Sequence, residues 1–429
     1  MRLLISFTAL FGSVVLLQLG LGTLAPLDAI SGVQLGFTTG EIGILGSAHF
    51  LGFFIGCWWA PRLMGSVGHS RAFAAFTAAG AIGILGHMML VSAPAWAAMR
   101  LTSGLAVAAC YTIIEAWLQA KVTNETRGRA MGVYRIADIS ASLGAQLMIG
   151  FLEPAAYFSY NLLALLCCAA LFPLVLTRAE APQIPDAPRL RPGLAWAMSP
   201  LGSVGVVVSG VTGAAFRMVG PVYGVEVGLK PDQIALFLAA YVLGGGIAQF
   251  PTGWLADKFD RRSVLIGLSA GATATCGATI LLAYSGVGAI YFAAILFGFT
   301  TLPIYSVSTA HAHDFASHME RVELSAAMMF LYAVGAIASP WAASLVIEHW
   351  GPAAMFLMIA AAHVLLILFG LIRSHARPTP ADRTAYTYEP RTSFLIGFCC
   401  AGAGTRTDPT RTRQCAFAQG RLWPLTDWR

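Results

Sequence analysis

A charged loop between two apolar runs is the most informative stretch of this sequence: residues 251–268 read PTGWLADKFDRRSVLIGL. The apolar runs on either side cover residues 233–256 and 262–283. An α-helix needs about 20 mostly apolar residues to cross the hydrocarbon core of a bilayer. The stretch therefore predicts two transmembrane helices joined by a short charged loop.

The composition extends this pattern to the whole chain. Of its 429 residues, 57% are hydrophobic and only 11% are charged, whereas a soluble domain carries about 25% charged residues. This excludes a soluble enzyme and a disordered protein, and it predicts an all-α membrane protein with twelve transmembrane helices. The predicted spans are residues 4–28, 41–63, 72–92, 95–120, 128–151, 157–177, 200–224, 233–256, 262–283, 288–311, 322–347 and 353–373.

A polar, Pro-rich stretch divides the membrane region into two parts. We predict a six-helix half over residues 1–177, a cytoplasmic linker over 178–199, a second six-helix half over 200–374 and a cytoplasmic tail over 375–429. The tail is expected to be disordered. After about residue 397 the sequence is rich in Arg, Thr and Cys, which also suggests that this segment is translated from a shifted reading frame.

The loop charges predict the orientation. Loops on one side of the predicted membrane contain a single basic residue, Lys230. Those on the other side contain Arg62, Arg71, Lys121, Arg127, Arg129, Arg178, Arg189, Arg191, Lys258, Arg261, Arg262 and Arg321. Because basic loops stay in the cytoplasm, both termini are expected there, with the protein in a bacterial inner membrane.

Two motifs resemble the major facilitator superfamily. Residues 253–262, GWLADKFDRR, are similar to its signature loop G-x-L-a-D-r-x-G-R-R. The corresponding loop of the first half is degenerate, with Gly68 retained and Gly65 at the Asp position, and Arg100-x-x-x-Gly104 is similar to the R-x-x-x-G pattern of that superfamily. The resemblance implies two pseudo-symmetric six-helix halves, the major facilitator fold.

Two further stretches resemble the YcaD-like bacterial group of that superfamily: residues 113–134, IIEAWLQAKVTNETRGRAMGVY, and residues 303–314, PIYSVSTAHAHD. The resemblance implies a secondary transporter that moves a small organic solute by alternating access, with protons as the expected coupling ion. Riboflavin import is our first substrate prediction, because some related proteins take up that planar metabolite. Efflux of a drug or metabolite is the alternative within the class, and a non-transporting receptor or scaffold is the alternative outside it.

Charged residues inside or beside the spans are the candidates for coupling or gating, because an ionisable group in hydrocarbon is costly. Glu115, Arg135 and Asp138 are expected near one depth of the hairpin formed by spans four and five. They form either a proton-linked site or a structural ion pair. The signature loop adds a second candidate gating group, Asp257, Lys258, Arg261 and Arg262.

Five polar or aromatic residues are the candidates for substrate contact. Arg100 and Arg217 lie toward the outer side of their spans, where each contacts an anionic group or extends to the interface. Gln18 and Gln249 lie at mid-span, and Tyr305 follows Pro303 in a span that proline breaks. Because a broken helix frees backbone groups, Tyr305 is expected either beside a cavity, where it stacks on a planar ligand, or within a packed kink.

No metal or cofactor is predicted. His311 and His313 are two residues apart and face apart on a helix, so we expect no metal site there. The eight Cys include no CxxC pair, and the net charge of +6 is dispersed rather than set along one face, which disfavours nucleic acid as a partner. The expected partners are a small-molecule substrate, protons and membrane lipid, with the protein a monomer.

Overall fold

The computed structural model describes residues 2–122, 127–175, 190–317 and 320–374, together with Tyr386. These residues are helical almost throughout, and no β-strand occurs among them. The predicted tail, apart from Tyr386, and most of the predicted linker lie outside the described residues. The segment boundaries of the predicted halves, linker and tail therefore stay a prediction.

The first half contains six long helical segments. In chain order its helices are α1 (Arg2–Leu17), a π-helical turn (Gln18–Gly22), α2 (Thr23–Gln34), α3 (Thr39–Val67), α4 (His69–Met89), α5 (Ala93–Lys121), α6 (Arg127–Met148), α7 (Tyr157–Ala169) and α8 (Leu171–Val175). The pairs α1–α2 and α7–α8 each act as one membrane segment.

The second half repeats this count. After the short helix α9 (Pro192–Met198), its helices are α10 (Pro200–Glu226), α11 (Pro231–Lys258), α12 (Arg261–Leu282), α13 (Val287–Thr301), α14 (Ile304–His313), α15 (Arg321–Trp350) and α16 (Ala353–Ser374). The pair α13–α14 forms one membrane segment. The described part of the chain therefore contains twelve such segments.

Eleven of these segments are long and apolar enough to cross a membrane. Helix α6 is the exception: it has 22 residues, but its Arg and Asp side chains lower its hydropathy. The twelve-helix, all-α membrane fold predicted from the sequence is confirmed. We use "distal end" for the end of the bundle opposite the first residue, formed by connections such as 35–38, 227–230 and 351–352.

The first segment is longer than predicted. The sequence suggested an end at residue 28, but α2 continues to Gln34 with Pro26 inside it. The apolar run Ala29–Gly32 remains buried and carries the helix onward. Asp28 consequently lies within the bundle, where only 2% of it is exposed.

Glycines allow the closest helix contacts, and they do so in the same way in both halves. A methyl group on Gly104 of α5 would overlap the carbonyl oxygen of His49 on α3, and one on Gly298 of α13 would overlap that of Tyr241 on α11. Small residues let membrane helices approach closely where no hydrophobic effect drives them together. The second and fourth segments of each half therefore pack with their backbones in direct contact.

The two halves meet mainly along the helix pairs α2 with α10, α3 with α15 and α6 with α11, and α3 also contacts α10. At the distal end this interface is tight. A methyl group on Gly46 would lie 2.7 Å from Pro340 Cβ and 2.8 Å from Met218 Cβ, both in the second half. The distal side of the interface is thus closed in this conformation.

We expect Gly104→Ala and Gly298→Ala each to lower the free energy of unfolding by about 1–3 kcal/mol, because the added methyl overpacks a helix contact. Thermal unfolding of the purified protein in detergent measures this. Gly277→Ala is the matched control, since nothing lies within 4 Å of a methyl group there. Equal melting temperatures for the three variants would contradict this account of the packing.

Candidate functional site

A central cavity of about 150 Å³ lies between the two halves. Helices from both halves line it, and its wall is mainly aromatic and aliphatic with a few polar groups. The polar and aromatic lining residues are Gln18, His49, Phe50, Phe53, Tyr111, Asp138, Ser142, Gln146, Phe216, Arg217, Tyr241, Gln249 and Tyr332. A mostly apolar concave site with few converging polar groups is the usual form of a small-molecule site.

Asp138 is the carboxylate of the first-half wall. The Tyr111 hydroxyl lies 2.9 Å from Asp138 Oδ1 and 2.8 Å from the side-chain oxygen of Gln18. A phenolic hydroxyl has one proton, so it donates to one of these oxygens at a time. Gln18 belongs to the π-helical turn, an irregularity that often occurs at functional sites.

Arg217 is the cation of the second-half wall. Its side chain is exposed to the cavity, and it has no hydrogen bond or ion pair with any residue that the structure describes. Behind it, Phe216 is buried with its ring centroid 4.2 Å from that of Tyr241. Arg217 therefore presents an unpaired guanidinium beside an aromatic surface.

A second polar group, buried beside the distal end, centres on Asp28. Its Oδ2 lies 3.2 Å from His87 Nε2 and 3.5 Å from Arg100 Nε, while its Oδ1 accepts a hydrogen bond of 2.9 Å from the Tyr160 hydroxyl. At most 2% of each of these four residues is exposed. We call these four residues the Asp28 network.

The hydrogen bonds of His87 fix the orientation of its ring. Its Nδ1 lies 2.7 Å from the carbonyl oxygen of Gly83 and must donate to it, because a carbonyl only accepts. Its Nε2 then bonds to Asp28 only if one of the two carries a further proton. The His87–Asp28 contact therefore joins α4 to α2 inside the bundle.

Arg100 links the Asp28 network to the other half of the protein. Its Nη2 lies 3.4 Å from Met218 Sδ on α10. Met218 follows Arg217 directly in the sequence, so one turn of α10 contacts both the cavity and the network. Arg100 is 1% exposed, which means that it does not extend to the membrane interface, and it does not line the cavity.

The signature loop holds its charges at the end opposite to the distal one. Arg261 Nη1 lies 2.7 Å from Asp314 Oδ1 and 2.8 Å from the carbonyl oxygen of Ala310, and its Nη2 lies 3.7 Å from Asp257 Oδ1. The backbone N–H of Tyr386 donates to Asp257 Oδ1 over 2.7 Å. The loop therefore ties α11, α12 and the end of α14 together.

Lys258 and Arg262 take part in the same loop. The Lys258 Nζ lies 4.6 Å from the centre of the Trp254 ring. Arg262 is buried, and its backbone N–H donates to the Asp260 side chain. Neither residue lies at the central cavity.

Of the three residues predicted to cluster on spans four and five, Glu115, Arg135 and Asp138, only Asp138 lines the cavity. Glu115 is buried and accepts a hydrogen bond of 3.1 Å from Tyr134, whose ring lies 5.2 Å from the Arg135 guanidinium carbon. Asp138 instead faces the cavity. The structure therefore separates a cavity carboxylate from a buried one.

Tyr305 lies near the cavity without lining it. Its ring centroid is 5.4 Å from that of Tyr332, which does line the cavity. Helices α13 and α14 break at Leu302 and Pro303, as the proline predicted. Gln249 does line the cavity, and its amide donates to the carbonyl oxygen of Gly245.

The family model "Major Facilitator Superfamily" matches residues 202–423, more than half of the chain. The chain belongs to the major facilitator superfamily. It is 24% identical over 367 residues to an uncharacterised transporter of this type, YcaD of Salmonella enteritidis PT4 (strain P125109), covering 85% of this chain and 95% of YcaD. It is also 24% identical to a transporter of this type, likewise uncharacterised, from Enterobacter sp. (strain 638), covering 80% of this chain and 89% of that one.

Solved structures of the superfamily share the fold. The nucleoside transporter NupG superposes with a TM-score of 0.70 at 15% identity, covering 88% of this chain and all of NupG. A D-xylose-proton symporter superposes with a TM-score of 0.64 at 13% identity, covering 87% of this chain and 98% of the symporter. The predicted relationship to YcaD-like transporters of the major facilitator superfamily is thus confirmed.

Asp28 is the functional candidate that the sequence analysis missed. Asp28 is the last residue of the predicted first span, and the sequence analysis did not include it among the candidate charges. Two signals point to it: Asp28 is the only ionisable residue between Arg2 and Glu41, and an apolar run follows it. In this superfamily member the carboxylate is the partner of the motif residue Arg100.

Removing one charge of the Asp28–Arg100 pair should cost more stability than removing both. We expect Asp28→Asn to lower the free energy of unfolding by about 3–5 kcal/mol, because Arg100 then stays buried without a carboxylate. Adding Arg100→Met should recover part of that loss. A double-mutant cycle by thermal or chemical unfolding measures the coupling, and strictly additive losses would refute it.

Proposed function

We propose that this member of the major facilitator superfamily is a proton-coupled secondary transporter of a small organic solute in a bacterial inner membrane. The observation that supports this best is the cavity between the halves, which carries a titratable carboxylate, Asp138, on one wall and a free guanidinium, Arg217, on the other. The two groups interact electrostatically without an ion pair. A solute or a proton that binds one of them changes the field at the other.

The way the halves pack supports alternating access. Within each half, glycine contacts lock the helices, whereas the interface between halves contains the cavity. We infer that the halves rock about this cavity, as transporters built from repeats do. The Asp28 network and Met218 would hold the distal side closed, and the signature loop would stabilise the opposite end.

Two details of the proposal come from the sequence. The loop charges favour both termini in the cytoplasm, and the protein would work as a monomer surrounded by lipid. Riboflavin import stays a prediction, as does its alternative, efflux. The cavity of about 150 Å³ is smaller than the 300 Å³ or more typical of sites for larger ligands, so a flavin would require the halves to part further.

A ligand screen is the first test. The purified protein is heated with flavins, sugars, nucleosides, amino acids, organic anions and lipophilic cations at two pH values, because a ligand that binds only the folded state raises the melting temperature. Solutes that stabilise the protein are then added to proteoliposomes containing a pH-sensitive dye. Entry of protons with the solute, beyond that in protein-free vesicles, is the expected result.

Asp138→Asn should abolish proton entry with the solute while leaving exchange of labelled solute across the membrane, because the amide holds no proton but keeps the cavity shape. The matched control is Glu41→Gln at the start of α3, since glutamine keeps the capping interaction with Thr38. Unchanged proton entry in Asp138→Asn would refute the coupling role. A folded protein that moves no solute of the panel would favour the receptor or scaffold alternative.

A further inference from the structure

We infer that the substrate is a small planar organic monoanion, an aromatic or conjugated carboxylate, whose carboxylate binds Arg217. The inference rests on the proposed function, because it assigns a substrate class to the same central cavity. Three properties of the cavity lead to it: the state of Arg217, the position of Asp138 and the shape of the apolar wall.

Arg217 carries a charge that nothing in the described part of the chain neutralises directly. A guanidinium is protonated at every physiological pH. In α10 it lies about two turns before the helix ends at Glu226, yet its side chain is turned into the cavity rather than toward lipid. A cation held at this depth in the membrane is costly without a partner, and an anionic group of the substrate in the cavity would be that partner.

The planar guanidinium of Arg217 favours a carboxylate as the anionic group of the substrate. Arginine donates two parallel hydrogen bonds to a carboxylate, which fixes its orientation. A single guanidinium faces Asp138 across the cavity, and the two interact electrostatically. A phosphate dianion would bring two negative charges to a cavity wall that contains one guanidinium, because Arg135, the other cation that interacts with Asp138, does not line the cavity. A monoanion can be matched by Arg217 alone, with Asp138 free to take up the coupled proton.

The rest of the wall favours a planar ring. Phe50 and Phe53 line the cavity from the first half, while Phe216 and Tyr241 line it from the second. The volume of about 150 Å³ is that of a site that holds one benzene-sized molecule. Gln146 and Gln249 add amide groups that can bond to ring substituents.

Benzoate, benzamide and benzamidine are the probes, because they share size and planarity and carry charges of −1, 0 and +1 at neutral pH. Their binding to the purified full-length protein is measured by thermal shift and by calorimetry at constant ionic strength. We expect benzoate to bind and the other two to bind at least about tenfold more weakly, because they lack the charged hydrogen bonds to Arg217.

Variants of Arg217 test whether benzoate binds to this side chain. Arg217→Gln should weaken benzoate binding about tenfold or more, and Arg217→Lys should retain part of it, since lysine keeps the charge but loses the paired donors. Arg71→Gln is the matched control, because Arg71 is exposed at the start of α4 and distant from the cavity. Melting temperatures of the unliganded variants show whether each one folds.

The outcomes separate the substrate class from the transport function. Equal binding of the three probes, preference for benzamide or benzamidine, absence of all binding, or unchanged benzoate affinity in Arg217→Gln would overturn the monoanion proposal. None of these results bears on proton-linked flux, which the proteoliposome assay measures with other solutes. Conversely, benzoate binding that depends on Arg217 without any flux would support the site and refute transport.

Discussion

The cost of placing a charge inside an apolar slab is the constraint on which this structure depends. An arginine side chain is a cation at physiological pH, and Arg100 is almost fully buried in the bundle. Its partner Asp28 comes from another helix, and His87 and Tyr160 come from two more. Pairing this one guanidinium with a carboxylate therefore ties four membrane segments together near the distal end. The same guanidinium reaches Met218, so the packing of the two halves depends on it as well.

The helices within each half pack more tightly than the interface between the two halves does around the cavity. Glycines at equivalent places, such as Gly104 and Gly298, let the second and fourth segments of each half touch backbone to backbone. Such contacts leave no room for helices to slide, so each half should move as one body. The space between the halves is different, because it holds a cavity lined by side chains from both. Motion concentrated at this interface would expose the cavity to one side and then the other.

Helix α10 connects the two polar sites. Arg217 faces the cavity, and the next residue, Met218, contacts the Asp28 network. In the proposed cycle, an anion bound at Arg217 would pull on the same turn of α10 that closes the distal side. A proton on Asp138 would offset the charge that the anion brings. Substrate binding, protonation of Asp138 and closure of the distal side would thus involve neighbouring residues. This proximity would allow each event to influence the others.

Composition and local pattern were enough to predict the membrane class and the twelve segments, and the resemblance of two short motifs indicated the superfamily, because each depends on residues close together in the chain. The break before α14 also followed from Pro303 alone. Which charges meet was decided only by the tertiary structure. Asp28 and Arg100 are 72 positions apart in the sequence, and the pattern placed Asp28 at the very end of one span and Arg100 within another. Depth in a membrane can be estimated along a helix, but the direction in which a side chain faces depends on neighbouring helices. For that reason Arg217 could be assigned to the cavity, and Arg100 to a buried ion pair, only in the folded protein.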